Sequence, residues 1–333
     1  MERKVSVTSP PYRSGTQVGE TRISLIFNSG GIGDYINWVT PIRYAIKSNP
    51  HISGYIVTQP YFADLAHFWF DDFDPRFVVR EVETDDFIKL DFVQDAAIIC
   101  PDLHQFASAS SHNLFELGFI YYCQIDRAPL GWETLPSITG DEVPLDHLNL
   151  PKDYVVLTPN ATADNRRMTP ECINGLLSYF KLKGLTPVLL GKHDLAADYR
   201  ARSGDGLDLT DCLDLREKTS LREAACVMAR SRLTLGLDNG LLHLASCGPS
   251  PVAWVFTSVD PRLRLPPRPH KAKTISIVPS DNLACRFCQS RMRYIIGHKF
   301  SNCLYGDNLC VTELRASYII KSLEQLGDLR AHK

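Results

Sequence analysis

Four cysteines near the C-terminal end carry the sharpest chemical signal in this chain. Cys285-Arg286-Phe287-Cys288 is followed after fourteen residues by Cys303, and after six more by Cys310. A CxxC pair with two further cysteines close by matches the tetrahedral thiolate sites that hold zinc or iron. Four sulfur ligands leave no open coordination position, so such an ion is structural. Reduced free thiols and disulfides are the other readings of the same residues, and a reducing compartment disfavours disulfides. Arg286, Arg291, Arg293, His298 and Lys299 lie between the cysteines and suit an acceptor, a partner subunit or a solvated face. Cys100, Cys123, Cys172, Cys212, Cys226 and Cys247 are scattered and read as small buried hydrophobes.

Three polar segments suit a sugar or a phosphate. Asn28-Ser29-Gly30-Gly31-Ile32-Gly33-Asp34 leaves an apolar run and enters a helical pattern. Glycines such as Gly31 and Gly33 let a ligand approach backbone N–H groups, and Asp34 is either a helix N-cap or a chemical group. The dinucleotide fingerprint fails, because Ile36 stands where its third glycine belongs, and no Gly-Lys-Ser/Thr marks a P-loop. Thr158 to Met168 contains Asn160, Thr162, Arg166 and Arg167 after another apolar run. Guanidinium groups bind phosphate oxygens in pairs, so this loop suits a diphosphate or is a solvated loop. Gly236 to His243 places Asp238, Asn239, Gly240 and His243 at a second such turn, where His243 is either a ligand or a satisfied structural histidine.

Seven short apolar runs position these segments. Ile23–Phe27, Tyr55–Thr58, Ala96–Cys100, Tyr154–Thr158, Pro187–Leu190, Leu233–Leu237 and Pro251–Phe256 are bounded by turn residues and read as strands covered on both faces. Tyr35, Val39, Ile42 and Ile46 mark one helix face, which Pro41 is expected to interrupt and kink. Thr169-Pro170 reads as a helix start with Gly184 as its stop, and Ser220 caps a helix reaching about Arg230. The polar stretch from about Pro136 to Pro151 reads as a boundary. It separates a loose arm (1–21) and a first α/β unit (22–150) from a second unit (151–315) that includes cysteine segment 285–310, with a closing helix at 316–333.

The chain has 333 residues, 44% hydrophobic and 22% charged, with a formal net charge of −2. Two domains fit that length, and a general nucleic-acid or anionic-membrane binder would be more basic. No apolar run approaches the ~20 residues of a membrane span, and residues 1–21 lack a secretory h-region, so a soluble cytoplasmic protein is expected.

Three segments resemble glycosyltransferase family 9, the heptosyltransferases of lipopolysaccharide core assembly and their relatives. They are Gly33-Asp34 with Thr40-Pro41; Thr158 to Pro170; and Ser220-Leu221-Arg222-Glu223 with Asp238-Asn239-Gly240-Leu241-Leu242-His243 and Asp260-Pro261. The resemblance implies an α/β GT-B fold of two facing Rossmann-like domains, the first for the acceptor and the second for a nucleotide sugar. The cysteines are similar to those of the iron-binding autotransporter heptosyltransferase branch, implying a small C-terminal metal-binding knuckle. It further implies inverting transfer to an acceptor hydroxyl of a saccharide or protein, from an ADP-heptose-like donor, without a catalytic metal. Asp34 would be the base, and Arg166 or Arg167 would hold the diphosphate, with Asp238, Asn239, Gly240 and His243 lining the donor. Asn239 replaces the usual Ser or Thr, Met168 a common Trp, Arg166-Arg167 a Lys-containing pair, and Thr257-Ser258-Val259 a Gly-Pro-Thr. These departures make the heptose donor less fixed. A GT-B transferase with a hexose or pentose donor and a non-catalytic glycosyltransferase-like assembly protein are the competing readings, and a homo-oligomer is a further expectation.

Overall fold

The computed structural model describes residues 21–27, 31–83, 96–99, 112–161, 165–192, 206–290, 303 and 305–327. Two parallel sheets organise them. The first holds β1 (Thr21–Phe27), β2 (Ile52–Thr58), β3 (Phe77–Glu81) and β4 (Ala96–Ile99) in the order β3-β2-β1-β4. The second holds β5 (Tyr154–Thr158), β6 (Thr186–Leu189), β7 (Leu213–Asp214), β8 (Thr234–Leu237), β9 (Val252–Val255) and β10 (Thr274–Ile277) in the order β10-β9-β8-β5-β6-β7.

That order locates the site before any side chain is considered. In the first sheet the chain leaves β1 towards β2 and β3, then returns to the other side of β1 with β4. In the second it leaves β5 towards β6 and β7, then crosses to β8. The reversals lie at β1/β4 and β5/β8, and ligands of open α/β sheets bind outside the carboxyl ends of such strands. The polar segments singled out above leave the carboxyl ends of β1, β5 and β8.

The helices are α1 (Ile32–Ser48), α2 (Pro60–Phe70), α3 (Leu114–Cys123), α4 (Pro170–Leu182), α5 (Leu221–Arg230), α6 (Gly240–Ala245), α7 (Leu309–Thr312) and α8 (Ala316–Leu323). The caps follow the sequence. Thr169 Oγ1 accepts from Cys172 N–H at 3.2 Å, and Gly184 follows α4 at φ +75°. Ser220 and Glu223 close a reciprocal capping box on α5, with bonds of 3.2 and 2.7 Å. One expectation fails: α1 is not interrupted at Pro41. The helix runs on, and α3 approaches so closely that a Cβ at Gly118 would lie 2.7 Å from Pro41 Cγ.

The second sheet alternates. Val155, Leu157, Leu235, Leu237, Ala253 and Val255 face a core shared with α4 and α8. Tyr154, Val156, Val252, Trp254 and Phe256 face the other way, into a core that continues through α5 and α6 to α1, α2 and α3. The two sheets thus share one apolar core, which fixes the N-terminal end of α1 against α6. Among the described residues no helix is long and apolar enough to cross a membrane.

Cys172, Cys226 and Cys247 are buried. Burial pushes the thiols of Cys123 and Cys172 up to about 12, and burial with the Glu142 carboxylate beside it pushes Cys226 up to about 11. Cys172, Cys226 and Cys247 are inert packing groups, as the sequence suggests, whereas Cys123 and Cys212 are only half-buried. Cys100 lies outside the described residues.

Candidate active site

The two Gly-containing turns meet face to face. A Cβ at Gly33 would lie 2.6 Å from His243 Cδ2 and 3.1 Å from Nε2, and a Cβ at Gly240 would lie 2.5 Å from Ile32 Cβ. Glycine is required at both positions because each backbone touches the opposite turn, not because of its own φ. Gly33→Ala should therefore push the imidazole off its seat. The expected cost is about 1–3 kcal/mol of stability, as for overpacking elsewhere, read as a fall in the denaturation midpoint.

Gly31 is the N-cap of α1, and its N–H donates to Asp34 Oδ2 at 2.9 Å. This corrects two expectations. Asp34 is not the N-cap; it sits at the third helical position and reaches back, closing the first turn. The Gly31 N–H is already bonded to it, so that group is not open to a ligand here.

The second half contributes Asp238, Asn239, Gly240 and His243 from the β8–α6 turn. Asn239 caps α6, its Oδ1 accepting from Leu242 N–H at 3.1 Å. Its amide nitrogen donates to Thr158 O at 3.2 Å, Thr158 Oγ1 at 3.2 Å and Asn160 O at 2.9 Å. An amide offers two donors where Ser or Thr offers one, so Asn239 ties the β8 turn to the β5 turn. Arg166 Nη1 donates to Asp238 O at 3.1 Å, with Asp238 Oδ2 at 3.5 Å. Arg167 is buried beside it, and Met168 belongs to the α4 core. Thr162 lies outside the described residues.

Two residues of the site were not read from the sequence. Arg264 Nε lies 3.7 Å from Asp238 Oδ2, so guanidinium groups approach this carboxylate from two sides. Its one signal is its place just after Asp260-Pro261. Asn37 bonds His243 across the seam, its Nδ2 lying 3.1 Å from His243 Nδ1. Its signal is a polar side chain one helical turn after Gly33 among apolar neighbours.

The assembly is buried. Asp34 is 0% exposed, His243 1%, Asp238 2% and Arg264 3%. Burial dominates the titration of His243 and lowers it below the usual imidazole value. The Asp238 and Asp34 carboxylates pull it back up, and Arg166 pushes it down. The imidazole is held neutral at the junction of two acids and one guanidinium.

The cysteine segment forms a separate cluster, in which Cys310 packs with Leu283, Val311 and Cys285. Burial raises the Cys310 thiol to about 12, and the charges of Cys288, Cys285 and Cys303 add to the rise. The four sulfurs therefore share one neighbourhood. Among the described residues, however, no three His, Cys, Asp or Glu side chains are placed to hold a metal ion, so the expected four-sulfur coordination is not formed here. Arg286 pairs with Asp281. Arg291, Arg293, His298 and Lys299 lie outside the described residues.

No curated protein matches the chain by sequence. Solved structures share its fold. The iron-containing dodecameric glycosyltransferase TibC of enterotoxigenic E. coli aligns with TM-score 0.67 at 12% identity, over 93% of this chain and 77% of that one. E. coli ADP-heptose lipopolysaccharide heptosyltransferase II aligns with TM-score 0.62 at 14% identity, over 92% and 98%. A family 9 glycosyltransferase of Veillonella parvula aligns with TM-score 0.61 at 13% identity, over 94% and 98%. Residues 125–295, half of the chain, match the profile of glycosyltransferase family 9 (heptosyltransferase). With its two parallel α/β sheets matching the GT-B-like folds of these enzymes, the chain belongs to glycosyltransferase family 9 and is a glycosyltransferase.

Proposed function

We propose that the chain transfers a heptose-like sugar from a nucleotide-diphosphate donor to an acceptor hydroxyl, inverting the anomeric centre. The observation that carries this reading is the contact of the Gly33-Asp34 turn with His243 beside Asp238. A carboxylate from one half and an imidazole from the other thus share one buried seam. Asp34 takes the proton of the attacking hydroxyl. Arg166 and Arg264 stabilise the charge that grows on the leaving diphosphate, and low polarity strengthens that interaction. Asp238 occupies the guanidinium groups until the donor arrives. Asp34 has no exposed surface, so the acceptor hydroxyl reaches it only when the side chains covering it move aside. TibC has been solved with ADP-D-beta-D-heptose, which makes that donor the first to try.

The test is turnover with a panel of nucleotide sugars, read as nucleoside diphosphate release, alongside thermal shift. ADP-heptose should raise the melting temperature and release ADP when acceptor is present. Equal indifference to every nucleotide sugar would refute the reading, and a preference for a UDP- or GDP-linked hexose would reassign the donor.

A structural ion at Cys285, Cys288, Cys303 and Cys310 forms the second part of the proposal. The donor set fits a thiophilic cation: four cysteines lie within one short stretch of sequence, and a bound iron or zinc would hold them as thiolates. The ion would hold the C-terminal segment together and take no part in transfer. Cys288→Ser should lower metal content and melting temperature together, while the folded fraction keeps its donor affinity. Metal-free protein on elemental analysis after anaerobic purification would remove this part of the proposal.

A further inference from the structure

We infer that Asn37, in the first half, is a positioning residue for the transfer reaction, fixing His243 of the second half as a neutral imidazole with its proton on Nε2. The inference rests on the proposed function for its catalytic meaning, but its structural part stands alone.

The amide orientation follows from its partners. Asn37 Nδ2 lies 2.6 Å from Gly33 O, which can only accept. Turned over, the amide would place oxygen against oxygen at that distance. The nitrogen therefore faces Gly33 O, and its other hydrogen serves His243 Nδ1 at 3.1 Å. Asn37 Oδ1 is left buried without a hydrogen bond, a cost that the two nitrogen contacts offset. An Nδ1 that accepts a hydrogen bond carries no proton, so the imidazole proton sits on Nε2.

The surroundings keep that state. Trp254 meets the imidazole edge to face, with ring centroids 4.9 Å apart and planes at 83°, and Gly33 packs against the ring beside Cδ2. The charged groups facing His243 are Asp238 and Asp34, which favour a second proton, and Arg166, which opposes it; burial outweighs them. Asp238 Oδ1 is 4.0 Å from Nε2, beyond hydrogen-bond length, so the Nε2–H remains available to a ligand at the seam.

This state matters for the chemistry. A neutral Nε2–H donates one hydrogen bond without adding charge. An imidazolium in the same place would stabilise the Asp34 carboxylate and weaken it as a base. Asn37 lies one turn from Gly33 on the helix that carries Asp34, so the acceptor half sets the protonation pattern of the donor half.

The experiment is long-range proton–nitrogen NMR of protein labelled with 15N-histidine, with the His243 signal assigned by loss in His243→Gln. Ligand-free wild type should show the proton on Nε2 at neutral pH, with any imidazolium forming only below the usual imidazole value. Asn37→Asp should move a proton onto Nδ1, produce a titrating imidazolium and shift the acid limb of kcat/KM to higher pH. Asn37→Ala should lower kcat by about tenfold with little change in donor Kd, and Asn37→Gln should restore part of it. A wild-type proton on Nδ1, or an imidazolium that titrates at or above the usual imidazole value, overturns the inference. So does an Asn37→Ala protein with wild-type spectrum and kcat. If wild type shows the Nε2–H imidazole but transfers no sugar, the proposed activity fails while the assignment of the tautomer holds.

Discussion

Asp34→Asn is expected to slow sugar transfer by about 10²–10⁴-fold, the usual cost of removing a general base. The variant is nearly isosteric, and its amide oxygen can still accept from Gly31 N–H, now at 2.9 Å from the carboxylate. The first turn of α1 should therefore persist, and with it the contact between Gly33 and His243. What is lost is the capacity to take a proton. Single-turnover kinetics should show the fall in the chemical step, while titration calorimetry should give a donor Kd within a few-fold of wild type. Wild-type turnover by Asp34→Asn would show that the base is elsewhere, and a matched loss of donor affinity would show that Asp34 binds rather than reacts.

The guanidinium pair should give the next largest effect. Removing one charge-assisted phosphate contact costs about 1.5–3 kcal/mol, roughly a 10- to 150-fold rise in Kd. Arg166 reaches Asp238 from a partly exposed position, whereas Arg264 is buried beside the same carboxylate. Arg166→Ala should thus weaken nucleotide binding with a modest change in stability. Arg264→Ala should weaken binding and also lower the melting temperature, because it strips a partner from a buried carboxylate. Calorimetric titration with ADP and a thermal melt on each variant separate the two cases. Unchanged Kd in both would remove the diphosphate from this part of the seam.

The positions of Asp34, Arg166, Asp238 and His243 could be read from the sequence because each follows a short apolar run and a turn, a pattern set locally. The helix caps at Thr169 and Ser220 were legible for the same reason. Strand order was not, since nothing local tells the chain to return past β5 to β8. The contact of His243 with Gly33 was illegible too, because it joins residues far apart in sequence. Arg264 and Asn37 belong to this class: their meaning lies in the Asp238 carboxylate and the His243 ring that face them. The buried face of α2, with Phe62, Leu65, Ala66, Trp69 and Phe70, has helical spacing, but the apolar Tyr61, Ala63 and Phe68 fall between these residues and blur the period in the sequence. The expected break at Pro41 did not occur because packing against Gly118 and a continuous apolar face hold α1 together.

A structure of the protein with ADP tests the central claim most directly. The account predicts the diphosphate at the carboxyl ends of β5 and β8, within hydrogen-bond reach of Arg166 or Arg264, with Asp238 released from at least one guanidinium and Asp34 facing the open side of the seam. A nucleotide seated on the first sheet, or a diphosphate far from both arginines, would contradict it.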